Sequence, residues 1–329
     1  MTSQAPKTVV GTGFVAEPAR RAAGPSSGAS KSRRRGRNRK GIVLSYAMIL
    51  PAFALLALFI VYPFVQGFVK SFYNWNGGNV DKFNGIDNFV QLVGDPLFRQ
   101  SFINVFILTA ALIVQAVAVP LMASWLVHHF KSEKLKYAFR VLVMVPVVVP
   151  GVVGFLLWVQ FLSDDGAVNR LLRGIGLGAL AQNWLGDPGF VLLGLIIVGI
   201  PWLNGINTLL YLAAFGNIPK ELYEAAVLDG ARTWMTFRKV ELPHLAGQTK
   251  LILFITLVMG LQGYENVYIM TNGGPGDASV VPGLILFRNA FRYGQFGYAN
   301  AIGLTIMMIT LGLAGVGYLV TRIGKRHEA

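Results

Sequence analysis

Six apolar stretches recur along the chain, at about residues 42–69, 101–127, 139–162, 189–214, 249–270 and 297–321. A hydrocarbon core about 30 Å thick takes about 20 helical residues to cross, and every backbone N–H and C=O inside it needs a partner within the protein. Stretches of that length, separated by short polar loops, restrict the chain to an all-α membrane protein, a bundle of six transmembrane helices. Composition agrees, with 54% of the 329 residues hydrophobic and only 13% charged. No soluble domain and no internal repeat interrupts the series.

The net charge of +14 is spread unevenly. Residues 1–30 are rich in Ala, Gly, Ser, Pro and Thr, and a dense basic block, Lys31 to Lys40, precedes the first apolar run. Residues 1–40 therefore read as a disordered basic cytoplasmic tail, and 41–329 as the transmembrane domain. The block lacks interleaved aromatics and a folded basic domain, so it reads as a topology signal and implies no nucleic acid partner. The run after it is too long for a signal-peptide core, so it is read as retained. Lys131, Lys134, Lys136, Arg140, Lys220, Arg232, Arg238, Lys239, Arg322, Lys325 and Arg326 fall on the same side as the tail. Asp81, Asp87, Asp95, Asp164, Asp165, Asp187 and Asp277 crowd the opposite loops. Excess positive charge marks the cytoplasmic side, which places both termini there.

The chain offers no catalytic apparatus. Without cysteine it has no thiolate metal site or nucleophile. His128, His129, His244 and His327 do not follow metal-ligand spacing. A phosphate-binding loop needs Gly-Lys-Ser/Thr after a glycine-rich turn, whereas Gly324-Lys325 is followed by Arg326.

One polar interruption, residues 216–247, faces the cytoplasm by the same charge count. It reads as two short helices across a turn. Pro219 suits a first helical position, and Glu221 then lies at the positive end of the helix dipole. Leu222, Ala225 and Ala226 share one face, with Glu224 beside it. Gly230 suits the left-handed end of that helix. A second amphipathic piece with Trp234, Phe237 and Val240 as apolar positions leads to Leu242-Pro243. Two small residues and a carboxylate fit a groove on another protein.

The spacing Glu224-Ala225-Ala226, three residues to Gly230, eleven more to Leu242-Pro243, resembles the EAA loop of ATP-binding-cassette (ABC) importer permeases. Val240 stands where that family more often has isoleucine. Tyr62-Pro63, Ile86-Asp-Asn-Phe89 and the Gly-Gly-Pro loop in Thr271 to Asp277 extend the resemblance over about residues 42–325. The chain thus resembles inner-membrane permeases of binding-protein-dependent sugar transport, of the maltose and glycerol-phosphate type. The resemblance implies a type I importer fold in the plasma (inner) membrane, with a cytoplasmic EAA coupling helix. It implies that Glu221, Glu224, Ala225, Ala226, Asp229, Gly230, Leu242 and Pro243 meet an ATPase. The expected partners are a second homologous permease, two ABC ATPase subunits, an extracytoplasmic solute-binding protein and membrane lipid. ATP is then bound by the ATPase partner, and this chain needs no cofactor.

Polar and aromatic side chains within spans mark the candidate substrate path, because burying them in lipid is costly. They are Trp202, Asn204, Asn207 and Tyr211 in the fourth span and Gln262, Tyr264, Glu265 and Asn266 near the outer end of the fifth. Trp158 and Gln160 add a third-span group. Amides, a carboxylate and rings suit a carbohydrate, while the same residues also serve bundles as interhelical glue and interface anchors. A polyol or glycerophosphodiester cargo, or a stand-alone secondary transporter, are the alternatives. Pro120, Pro146, Pro150 and Pro201 predict kinks within the second, third and fourth spans.

Overall fold

The computed structural model describes residues 39–199 and 204–326. By internal contacts the chain divides into residues 1–56 and 57–329. In the first unit the described element is helix α1, Arg39–Leu56. Every side chain from Tyr46 to Leu56 is exposed, though all are apolar. Such a surface is favourable against lipid tails and costly in water. The tail read over residues 1–40 lies outside the described residues, except for Arg39 and Lys40.

The second unit opens with a π-helical turn, Ala57–Val61, and α2, Tyr62–Lys70. A small antiparallel hairpin follows, β1 (Tyr73–Trp75) paired with β2 (Asp81–Phe83) and Tyr73 opposite Phe83. Then come α3 (Asp87–Gly94) and the 33-residue α4 (Pro96–His128). The Asp95 side chain accepts from the Leu97 N–H, capping α4, and Pro96 takes the first position, where no N–H is needed. Next are α5 (Glu133–Val148), α6 (Gly151–Phe161), α7 (Ala167–Gly174), α8 (Val191–Ile197) and α9 (Gly205–Gly216). The polar interruption holds α10 (Lys220–Leu228), α11 (Thr233–Thr236) and α12 (Leu242–His244). The chain returns through α13 (Ala246–Gln262), α14 (Glu265–Met270), α15 (Pro282–Phe287) and α16 (Phe296–Arg326).

Three helical stretches, Tyr46–Lys70, Pro96–His128 and Phe296–Leu319, are continuous and long and apolar enough to cross a membrane. They coincide with the first, second and sixth expected spans. None of the other three expected stretches is a single continuous helix. α5 and α6 meet at 92° in the third, and the fifth stops at Gly263 before α14 begins. The fourth comprises α8 and α9 on either side of residues 200–203, which lie outside the described residues together with Pro201 and Trp202. The prolines act unequally. Pro120 is carried inside unbroken α4, whereas Val149 and Pro150 are both extended at the 92° bend. A residue before proline is pushed from the helical region, which sets Val149 extended at the bend.

α4 is the central strut, packing on α9 and α13. Its approach to α13 is close enough that a Cβ on Gly260 would stand 2.7 Å from Thr109. Small residues at such contacts let helices gain dispersion and hydrogen bonding where lipid provides no hydrophobic drive. One core gathers Val105, Trp158, Leu195, Leu261, Leu284 and Ile302. A second gathers Ala116, Tyr211, Phe215, Leu245 and Ile252 beneath the polar interruption.

Candidate functional site

The polar interruption folds as two helical pieces across a turn. Pro219 is the residue before α10 rather than its first residue, and Gly230 ends it at φ +71°. The Gly230 N–H donates to Val227 O at 3.0 Å and the Ala231 N–H to Ala226 O at 2.9 Å, closing the helix with a Schellman pair. Glycine reaches this conformation without the Cβ clash that other residues pay.

α10 presents a different face from the one expected. Ala226, placed with Ala225 on an outward contact face, is 8% exposed and turned inward with Leu222 and Tyr223. The second core captures Leu222 and Tyr223, and that rotation brings Ala226 with them. Outward stand Glu221, Glu224, Ala225 and Asp229 with two apolar side chains, Val227 at 73% and Leu228 at 88% exposure. Phe237 and Val240 pack into the core as the amphipathic reading expects, while Trp234 stays mostly exposed beside Phe237.

Behind α10 lies a buried polar cluster that the sequence reading missed. Glu241, the residue before Leu242-Pro243, is wholly buried. Its Oε1 accepts from the Tyr223 hydroxyl at 3.2 Å and lies 3.8 Å from His129 Nε2. The Tyr223 hydroxyl is also 3.4 Å from His128 Nε2, and the His128 ring stacks on Phe215. Burial pushes the Glu241 carboxyl above its ordinary range, against the opposing pull of His129, Tyr223 and Trp125. Burial, followed by the Glu241 charge, likewise pushes the Tyr223 phenol up. Glu241 had a legible signal, an acid set between the bases Arg238 and Lys239 and the Leu242-Pro243 of the motif.

The second candidate site is a cavity of about 530 Å³ among α4, α6, α8, α13 and α14. Gln262, Tyr264, Glu265 and Asn266 line it together, because the chain leaves helical geometry at Gly263 and turns these consecutive residues to one space. Irregular backbone at membrane depth is tolerated where it borders a cavity. Gln115 of α4 joins them and donates to Ile196 O at 2.8 Å. A polar residue inside the second span was as visible in sequence as those in the fourth. Among the described residues, Glu265 is the one charged residue in the lining.

The fourth-span candidates separate. Asn204 lines an adjoining cavity of about 310 Å³, which Gln115 and Trp158 also border. Asn207 donates to Ala116 O at 3.1 Å, and buried Tyr211 donates to Thr249 Oγ1 at 3.1 Å. Both therefore tie α9 to its neighbours. Gln160 lies apart, beside Arg170 and Asp165. The Gly-Gly-Pro loop is knitted into the fold: Asn104 donates to Ala278 O and Val280 O, and Arg288 pairs with Asp277 at 3.3 Å.

Apolar outer surfaces, helices broken around an amide-lined cavity and a polar helix exposing two large apolar side chains define a multi-pass membrane permease. The chain belongs to the family described as binding-protein-dependent transport system inner membrane components, whose family model matches residues 121–325. It is a transport permease of the ABC class, not an enzyme, and an inner-membrane protein. It is 33% identical over 291 residues to a probable ABC transporter permease protein, YurN, of Bacillus subtilis, covering 87% of this chain and 98% of the relative. It is 32% identical over 292 residues to the lactose transport system permease protein LacF of Rhizobium radiobacter, covering 86% and 95%. In fold it resembles a chain of a bacterial ABC transporter involved in import of the acidic polysaccharide alginate. The TM-score there is 0.75 at 24% identity, over 86% of this chain and 96% of the other.

Proposed function

We infer that this chain forms half of the translocation path for a carbohydrate, paired with a second homologous permease. Two ATPase subunits drive the pair, and an extracytoplasmic binding protein delivers the solute. On this reading residues 41–329 are the permease domain, six spans cross the membrane with three of them broken, and both termini face the cytoplasm. Loop 216–247 then lies on the ATPase side, where α10 docks through Glu221, Glu224, Ala225, Val227 and Leu228. Asp229 and Gly230 end that helix, and Leu242-Pro243 turns the chain back toward α13.

The lining of the larger cavity carries the reading of the cargo. Among the described residues it offers the amides of Gln115, Gln262 and Asn266, the Tyr264 ring and one carboxylate, with no lysine or arginine. Amides donate and accept at once and match hydroxyl groups, whereas a phosphate or carboxylate cargo calls for cationic forks. The lactose permease among the relatives supports the same class. The test is ATPase activity of the reconstituted complex with its binding protein across a panel of neutral saccharides, polyols and glycerophosphodiesters. Stimulation by one neutral saccharide is expected. Stimulation confined to the phosphodiester would contradict the reading.

A further inference from the structure

Glu241 is a costly residue for its position. It is wholly buried, and among the described residues its one ion-pair partner is a histidine 3.8 Å away. The basic residues of the π-helical turn Phe237–Glu241 that carries it, Arg238 and Lys239, are exposed. Glu241 Oε2 and the Trp125 indole N–H, both buried, make no hydrogen bond of good geometry. A well-packed apolar side chain of similar volume is often as stable as a buried charge, or more so. Stability alone therefore gives no reason for a carboxylate here, but its connections do.

The carboxylate sits where three parts of the chain meet. Tyr223 comes from the inward face of α10, and Trp125, His128 and His129 come from the end of α4. Glu241 itself closes the turn before α12. Trp125 also packs on Phe237 at 5.5 Å between ring centres. α4 runs unbroken from this cluster to Gln115 and Thr109, which border the cavity. Ten helical residues from Trp125 to Gln115 span about 15 Å.

We propose that Glu241 and Tyr223 are positioning residues that lock α10 to the end of α4, so that displacement of α10 reaches the cavity through α4. The proposal rests on α10 being the docking helix. Neither residue touches cargo or ATPase. Their hydrogen bond joins α10 to the turn before α12, and the pair reaches the end of α4 through His128, 3.4 Å from the Tyr223 hydroxyl, and His129, 3.8 Å from Glu241. Core packing around Phe215 and Leu222 stiffens the joint. Packed side chains, hydrogen bonds and rigid helices of this kind can carry coupling between distant sites.

The test uses the whole complex in proteoliposomes, measuring ATPase co-purification and uptake per ATP hydrolysed. Tyr223→Phe removes a single oxygen and should keep the ATPase bound and turning over while uptake per ATP falls about tenfold. Glu241→Leu should act the same way. Glu241→Gln retains an acceptor for the phenol and should stay within about threefold of the parent. A merely structural role would lower yield in step with uptake and leave the ratio unchanged. If Glu241→Leu does not assemble, Tyr223→Phe decides the matter. Parental uptake per ATP in Tyr223→Phe overturns the lock. Failure of the docking reading appears separately, as an ATPase that stays bound when Leu228 is changed to Asp.

Discussion

The side-chain amide of Asn207 donates to the backbone carbonyl of Ala116 across 3.1 Å, binding α9 to α4. Asn207→Ala should thus loosen the bundle, at about 0.5–1.5 kcal/mol for the lost bond, and lower the yield or thermal midpoint of the complex. The saccharide concentration for half-maximal uptake should not move. Gln115→Ala combined with Gln262→Ala should do the reverse, raising that concentration several-fold with less effect on yield. Measuring both quantities for both variants separates glue from cargo contact, and a shift in half-saturation for Asn207→Ala would reassign it to the path.

Leu228, at 88% exposure, contributes little to the fold of this chain. Leu228→Asp should leave the permease inserted and the permease pair intact. A charge forced into an apolar contact typically costs several kcal/mol, so the ATPase should fail to co-purify. Retention of the ATPase with normal transport would remove α10 as the docking element.

Glu241 links stability to pH. Its folded-state pKa lies above the ordinary carboxylate value of 4.5 because burial disfavours the charged form. The folded state thus binds the proton more tightly than the unfolded state. The stabilisation is complete below 4.5 and is lost as pH rises through the raised folded value. Glu241→Gln has no proton to lose, so its thermal midpoint should gain on the parent as pH rises through that window. Parallel curves for the two proteins would show that this carboxyl is not the titrating group.

Topology is testable with a reporter active only outside the membrane. It should signal when fused at Gly78, Gly176 or Gly276 and stay silent at Ser132. A signal at Ser132 would place α10 on the wrong side for an ATPase partner.

Long apolar runs made three unbroken spans legible, since length and hydropathy are local properties. Gly230 was legible too, because a left-handed helix end is a property of one residue. The breaks were harder. Pro120 and Pro150 are the same residue type, yet only the second sits where a bend forms, and the difference lies in what surrounds them. Ala226 and Asn207 show the limit most clearly. Helical spacing places a residue on a face, but only packing decides what the face meets. The second core turned Ala226 inward, and α4 took the Asn207 amide. Gln115 reached the cavity from a span whose polar residues had been passed over.

The most direct test of the central claim is saccharide uptake by proteoliposomes holding the two permeases and the ATPase, with binding protein outside and ATP inside. The account predicts accumulation of a neutral saccharide that stops when either ATP or binding protein is withheld and is indifferent to proton or sodium gradients. Uptake that persists without ATP and follows an ion gradient would contradict it and make this chain a secondary transporter.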